Sequence, residues 1–93
     1  MADLRADARV EVHVKSLVTN EKTKFAWSLD ATVQDTWSEA YLKLGEGHRD
    51  GDTFRCADGT DLMPLLSLTL RQLRERKVCG GDHFEIRGPS GGA

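Results

Sequence analysis

Polar and apolar side chains alternate without a break in one segment near the N-terminus, Arg9-Val10-Glu11-Val12-His13-Val14-Lys15. A period of two residues is typical of a β-strand with one buried face, which places the three valines inward. The alternation returns in Thr23-Lys24-Phe25-Ala26-Trp27-Ser28-Leu29, after the polar turn formers of residues 19–22. We therefore predict that the first two strands form a β-hairpin.

A helix is predicted directly after this hairpin. Thr32 offers a hydroxyl at the N-cap, and Asp35 follows three residues later, where a carboxylate suits the positive end of the helix dipole. Gly45 is the residue type that most readily adopts the left-handed conformation at which helices end. Apolar side chains recur between them at three- and four-residue steps, at Val33, Trp37, Ala40, Tyr41 and Leu44. The predicted helix spans residues 33–44.

A second, shorter hairpin is predicted in the middle of the chain. Residues 46–52 are polar and glycine-rich, which is typical of a surface connection without core residues. Residues 53–57 alternate again, with Phe54 and Cys56 inward. Asp58-Gly59 is a strong turn signal, so we expect the strand to turn back on itself through residues 60–62.

The last elements are a short helix and a strand. Leu66, Leu70 and Leu73 have the spacing of an amphipathic helix, which we expect Gly80-Gly81 to end. Residues 82–87 alternate once more, which predicts a final strand with Phe84 and Ile86 inward.

This order of elements predicts an α+β fold, with a mixed sheet of four to five strands covered by one main helix and a short second helix. The last strand needs the same core as the hairpin and can pair beside the first strand in the middle of the sheet. That arrangement is the β-grasp. We expect residues 9–87 to form the domain, between a flexible N-terminus of residues 1–8 and a flexible glycine-rich tail of residues 88–93.

Composition excludes several classes of function. The 93 residues suffice for one domain, and 13 Lys+Arg against 15 Asp+Glu give a formal net charge of -2, which disfavours nucleic-acid partners. The longest apolar run, residues 62–66, contains Pro64 and is too short for a membrane span. The first residues lack the apolar centre of a signal peptide, so we expect a cytoplasmic protein.

The sequence offers no catalytic set and no cofactor site. Cys56 and Cys79 form no CxxC pair, so we expect neither zinc nor a redox dithiol but two separate thiols, with Cys56 in the core. His13, His48 and His83 have no serine or cysteine nearby in a recognisable motif and are interpreted as solvated surface residues. Residues 48–52 resemble part of a calcium loop, but Phe54 stands where a ligand is needed. An enzyme is therefore not predicted.

Outward side chains of the strands predict a polar sheet face that could bind a partner of matching charge. The candidate partner-binding residues on this face are His13, Lys15, Arg55, His83 and Arg87. Arg71 and Arg74 add a basic cluster on the predicted second helix, which could bind an acidic partner surface. The alternative is that the sheet face and the helix face are simply solvated and bind no partner.

Several short segments, in their order along the chain, resemble the ubiquitin-like family. They are Val14-Lys15-Ser16-Leu17, Thr32-Val33, Ala57-Asp58-Gly59-Thr60, Leu68-Thr69-Leu70, Gly81-Asp82 and the terminal Gly91-Gly92. The resemblance covers about residues 9–92 and also implies the β-grasp fold. Ala93 resembles the short extension that precursors of such modifiers carry, as in a bacterial ubiquitin-like modifier with a Gly-Gly-Ala terminus.

The resemblance implies a function for the tail. A processing peptidase would cut between Gly92 and Ala93, an ATP-dependent activating enzyme would adenylate the new carboxylate, and conjugating enzymes would join it to amines of target proteins. Gly91 and Gly92 suit this chemistry because they lack the Cβ atoms that would collide in a narrow catalytic cleft. A monomer without nucleic-acid or membrane partners is expected. The alternatives are a sulfur carrier with a terminal thiocarboxylate, a non-conjugated β-grasp subunit of a larger assembly, and a tail without function.

Overall fold

The computed structural model describes residues 9–89. Its strands are β1 (Arg9–Ser16), β2 (Lys22–Ser28), β3 (Thr53–Cys56) and β4 (His83–Arg87). Its helices are α1 (Val33–Leu44) and α2 (Leu70–Glu75), with a short 3-10 helix at Met63–Leu65. The predicted flexible N-terminus and the calls on Gly91, Gly92 and Ala93 lie outside the described residues.

The four strands form one mixed sheet in the order β2-β1-β4-β3. β1 pairs antiparallel with β2 and parallel with β4, and β3 pairs antiparallel with β4. The predicted placement of the last strand beside the first one is confirmed. The predicted α+β class, with a mixed sheet and one main helix, is confirmed with it.

Helix α1 has the predicted bounds for the predicted reasons. The Thr32 side chain accepts a hydrogen bond of 3.0 Å from the backbone N–H of Asp35, which caps the first turn. Gly45 has a φ of 73°, in the left-handed region, and its N–H donates to the carbonyls of Tyr41 and Leu42. The helix therefore begins and ends where its cap residues satisfy the free backbone groups.

The second hairpin is shorter than predicted. Beyond β3 the chain makes a single bridge, between Arg55 and Asp61, in place of a paired strand. The Asp61 carboxylate accepts a hydrogen bond of 3.0 Å from the N–H of Met63, and Pro64 lies in the 3-10 helix that follows. The predicted return of the chain through residues 60–62 is nevertheless present, because the Cys56 N–H donates to the Thr60 carbonyl at 2.9 Å and the Leu62 N–H donates to the Phe54 carbonyl at 3.1 Å.

The second helix also differs from its prediction. It begins at Leu70, because the Thr69 side chain accepts from the N–H of Gln72 and the Gln72 side chain accepts from the N–H of Thr69. It ends at Glu75, and Lys77 adopts a φ of 54°, so the chain leaves the helix before Gly80-Gly81 is reached. Leu66 lies outside the helix, at the end of the 3-10 turn.

The core lies between one face of the sheet and helix α1. The predicted inward residues of β1, β3 and β4 are buried, and Phe54 stacks between Trp37 and Phe84, with ring centroids 5.9 and 5.3 Å away. The largest side chains with essentially no exposure are Phe54, Leu62, Ile86, Val12, Val14, Val33, Thr36, Cys56 and Ser16. Burial of this apolar surface is the main favourable term in folding.

The expectation of two separate thiols is wrong, because Cys56 and Cys79 form a disulfide. Cys56 ends β3, and Cys79 lies four residues before β4 begins. The antiparallel pairing of these strands brings the two Cα atoms within 5.5 Å, a separation that suits a disulfide.

The described part of the chain contains no helix of the length and apolarity that crossing a membrane requires.

Candidate partner-binding face of the sheet

The outward side chains of the sheet form two rows because the strands are in register. The first row contains Lys24, His13 and His83, since His13 pairs with Lys24 on one side and with His83 on the other. The second row contains Lys22, Lys15, Glu85 and Arg55, which are neighbours across all four strands. We call the surface formed by these seven residues the row face.

The imidazoles of His13 and His83 stack in the first row. Their centroids are 4.4 Å apart and their planes differ by 7°. Parallel strands in register place like positions side by side on the same face, which is why residues 70 positions apart meet here. The Glu11 carboxylate oxygen lies 3.2 Å from Nε2 of His13 and restrains the His13 ring of the stacked pair.

An open cavity of about 350 Å³ lies over this part of the row face. His13 and His83 form one side of it, and Lys15, Lys22 and Glu85 form another. The remaining lining residues are Val14, Thr23, Ala57 and Phe84. Three of the five predicted sheet-face residues, His13, Lys15 and His83, are therefore brought together at one cavity.

The lysines of the row face differ from its one arginine, Arg55, in their local partners. Within residues 9–89, no carboxylate oxygen lies within 4.0 Å of the ammonium groups of Lys15, Lys22 or Lys24. The Arg55 guanidinium donates to the carbonyl of Gly59 at 3.2 Å and is anchored at the β3 turn. The lysines are thus the charges that remain available to an acidic ligand.

Arg87, predicted for the same face, forms an ion pair with Glu85 at the edge of the row face. Its guanidinium donates to the Glu85 carboxylate at 3.1 and 3.2 Å. This ion pair offsets the one carboxylate in the second row and leaves the row face with an excess of positive charge.

Arg71 and Arg74 lie apart from the row face, on helix α2. Arg71 donates to Asp30 at 3.0 Å, and Arg74 lies 3.7 Å from the carboxylate of Asp82. Both guanidinium groups therefore have intramolecular carboxylate partners. The predicted basic cluster does not extend the sheet surface but forms a separate, partly neutralised patch.

Sequence reasoning missed Lys22, Lys24 and Glu85 as members of the site. The alternation placed Lys24 and Glu85 outward, but only the strand order and register show which outward residues are neighbours. Lys22 was interpreted as part of the turn, whereas it is the first residue of β2. The pairing of Lys15 with Lys22 could have been found by extending the hairpin register to the turn.

The histidines lie at the surface, as predicted, with His48 and His83 exposed and His13 half-buried, and each also contacts another aromatic ring. His48 contacts the rings of Trp37 and Tyr41, with centroids 4.9 and 5.3 Å away, and the other two histidines contact each other. Among the residues that the structure describes, no three His, Cys, Asp or Glu side chains are placed to bind a metal ion together.

The chain leaves the sheet at the end of β4 that lies beside the β1–β2 turn. Leu17 donates its N–H to the carbonyl of Ile86 at 2.8 Å, and Gly88 and Pro89 follow as the last described residues. The predicted reacting glycines, Gly91 and Gly92, follow in the sequence after Ser90. No protein-family model matches this sequence, and a search of curated proteins finds no match.

Proposed function

We propose that this protein is a β-grasp, ubiquitin-like modifier that is joined through its C-terminal carboxylate to amines of target proteins. The observation that supports this most is the position of β4. It is a central strand of the sheet and also the last one, so the chain leaves a rigid body only a few residues before Gly91-Gly92. A tail attached in this way can enter a narrow enzyme cleft while the folded body remains outside.

The chemistry of the proposal belongs to the tail. A peptidase hydrolyses the Gly92–Ala93 bond, and an ATP-dependent enzyme joins the Gly92 carboxylate to AMP as an acyl adenylate, with release of pyrophosphate. An enzyme cysteine displaces AMP to form a thioester, and a target amine then displaces the thiol to form an isopeptide bond. The modifier contributes the carboxylate and a backbone without side chains at Gly91 and Gly92.

The row face is the proposed contact surface for the activating and conjugating enzymes. Its excess positive charge, with Lys15, Lys22 and Lys24 free of carboxylate partners within residues 9–89, favours enzymes with an acidic docking surface. Activation consumes ATP, so the proposal also places the protein in the cytoplasm. Reducing conditions there would make the Cys56–Cys79 disulfide transient.

A conjugation assay tests the proposal. The chain ending at Gly92, with an N-terminal tag, is incubated with an extract of the cells that make it, with and without ATP. We expect a ladder of heavier tagged species that depends on ATP and resists boiling with reductant. The matched control ends at Gly91, and it should give no ladder. Equal ladders from both chains, or none from either, would contradict the modifier.

The row face also supports a second candidate, a non-conjugated β-grasp subunit of a larger assembly. This function needs only the cavity at His13 and His83 and makes no use of the tail. A stable complex that contains the chain with Ala93 intact would favour it. A sulfur carrier would be recognised by a chain that ends at Gly92 with one carboxylate oxygen replaced by sulfur.

A further inference from the structure

The antiparallel pairing of β1 with β2 places basic side chains directly opposite each other. Lys15 is the cross-strand partner of Lys22, and the ionisable His13 is the partner of Lys24. Directly opposed side chains of such a pair lie on the same face with Cβ atoms about 5 Å apart, so like charges there destabilise the sheet. An anion bound between these side chains would relieve the repulsion.

The carboxylates next to these cations do not neutralise the lysines. The Glu11 carboxylate lies 3.2 Å from Nε2 of His13, and Glu85 accepts hydrogen bonds from Arg87 at 3.1 and 3.2 Å. Within residues 9–89, no carboxylate oxygen lies within 4.0 Å of the three ammonium groups of the row face. The positive charge at this surface is therefore left to an external anion.

Two open cavities meet over the basic side chains. The cavity of about 350 Å³ described above has His13, His83, Lys15 and Lys22 in its lining. A second cavity of about 410 Å³ shares His13 and Lys22 with the first one and adds Lys24. None of these five residues is buried, and Lys22, Lys24 and His83 are exposed. A ligand in the two cavities can therefore contact several cations at once.

The available cations favour a phosphate group over a carboxylate. A phosphate monoester carries close to two negative charges at neutral pH and has three strong acceptor oxygens. A lysine ammonium is a compact charge with three rotatable donors, whereas the planar fork of arginine is the better match for a planar carboxylate. The one arginine of the row face, Arg55, already donates to the Gly59 carbonyl. The three lysines thus match a tetrahedral dianion.

The shape of the surface favours a phosphate that is carried by another protein. Sites for free small molecules are concave and bury most of the ligand surface. The two cavities are instead open, and they lie on the outer face of the sheet, where the second one is lined by residues of the edge strand β2. A partner that presents a phosphorylated side chain can reach them while its own surface covers the strands around them.

We propose that the row face binds a phosphorylated side chain of a partner protein. The phosphate lies where the two cavities meet, at His13 and Lys22, and accepts hydrogen bonds from the ammonium groups of Lys15, Lys22 and Lys24. The proposal names the chemistry of the docking partner and rests in that respect on the proposed function. The site itself belongs to the folded body, so its failure and the failure of the modifier are observed in separate experiments.

A titration of the full chain at fixed ionic strength, followed by ¹H–¹⁵N NMR, tests this assignment. The probe is Nα-acetyl-O-phosphoserine N-methylamide, and its matched control is the blocked glutamate, which carries a single negative charge. We expect the phosphoserine probe to shift the backbone amides of His13, Lys22 and Lys24, with a dissociation constant of the order of 1 mM. The glutamate probe should bind about tenfold more weakly.

Two double variants separate the site from the overall charge. Lys22→Gln with Lys24→Gln removes two positive charges at exposed positions of β2, so the phosphoserine probe should lose about tenfold in affinity. Lys43→Gln with Arg76→Gln removes as much charge from helix α1 and from the end of helix α2. Neither of these two residues lines the cavities, so the control variant should bind the probe like the unaltered chain.

Four results would overturn the proposal. They are equal binding of the blocked glutamate, unchanged binding by the Lys22 and Lys24 variant, an equal loss of affinity in the control variant, and a higher affinity for inorganic phosphate or adenosine monophosphate than for the phosphoserine probe. The last result would assign the site to a free small molecule and not to a partner protein.

Discussion

Tyr41 and Asp52 join helix α1 to the segment that leads into β3. The hydrogen bond between them is 2.7 Å long and buried. The helical stripe predicted that Tyr41 would be buried, but nothing in the sequence predicted Asp52 as its partner. A loop of polar residues and glycines is typical of an exposed connection, and the buried role of one of its carboxylates depends on tertiary contacts.

The Tyr41 hydroxyl should contribute measurably to stability. Tyr41→Phe removes the hydrogen bond and leaves Asp52 with fewer donors in a buried position, so we expect a loss of about 1 to 3 kcal/mol in the free energy of unfolding. Urea denaturation at neutral pH measures this loss. Leu42→Ala, at a 75% exposed position of the same helix, is the control and should change little.

Tyr41→Phe should also change how the free energy of unfolding depends on pH in the alkaline range. Burial and the hydrogen bond to Asp52 raise the pKa of Tyr41 above its usual 10.0. The unfolded chain then releases the phenolic proton first, so the contribution of Tyr41 to stability is present below pH 10.0 and is lost as the pH rises above it. The Phe variant should lack this loss. Parallel alkaline branches for the two chains would contradict the assignment.

Glu46 should account for part of the loss of stability at acid pH. Burial alone would raise its pKa, but hydrogen bonds from Thr19 and Arg49, the positive charge of Arg49 and a hydrogen bond from Ser16 outweigh burial and lower it. Its contribution to stability is therefore present above the ordinary value of 4.5 and is lost as the pH falls through the lowered pKa. Glu46→Gln should flatten this branch in pH-dependent thermal unfolding, and an unchanged slope would contradict it.

At the scale of elements, the sequence predicted the elements that depend on local patterns and the place of β4 beside β1, and it missed the disulfide, which depends on β3 pairing with β4. The hairpin and helix α1 follow from alternation and from cap residues within one turn of the helix. The Cys56–Cys79 disulfide depends on β3 pairing with β4, two strands separated by both shorter helices. The end of α2 was misplaced because Lys77, and not a glycine, adopts the left-handed conformation.

The disulfide should stabilise the β3–β4 half of the sheet. It closes a loop with a sequence separation of 23 residues, which corresponds to about 3 kcal/mol of lost entropy in the unfolded chain. Dithiothreitol should therefore lower the denaturation midpoint of the unaltered chain to that of Cys79→Ser, and should leave the variant unaffected. No response of the unaltered chain to reductant would mean that the two cysteines are not joined.

At the scale of the whole molecule, the net charge of -2 conceals an uneven distribution. The row face has an excess of positive charge, while the acidic residues Glu46, Asp50 and Asp52 are close together in the segment before β3. The small net charge means that no strong overall electrostatic field surrounds the molecule. It says little about partners, because docking depends on the local electrostatic potential. Alternation predicted part of the row face, and its remaining members required the strand order.

The charge of the row face should affect conjugation in the proposed assay. Replacing Lys22 and Lys24 with Glu should slow conjugate formation by about tenfold, because encounter with an acidic enzyme surface would no longer be favoured. Replacing both with Arg should preserve the rate, which separates an effect of charge from the loss of an amine. Lys43→Glu, on helix α1, changes the charge by as much as Lys24→Glu alone and is the control for that single variant. Equal slowing by the control would contradict docking through the row face.

The most direct test of the modifier is the mass of the protein isolated from its own cells. Trypsin cuts after Arg87, so a conjugated chain should leave the remnant Gly88-Pro89-Ser90-Gly91-Gly92 on lysines of target proteins. We expect this branch in tryptic peptides, and free chains that end at Gly92. Free chains that all end at Ala93, with no branched peptide at any lysine, would contradict the proposed function.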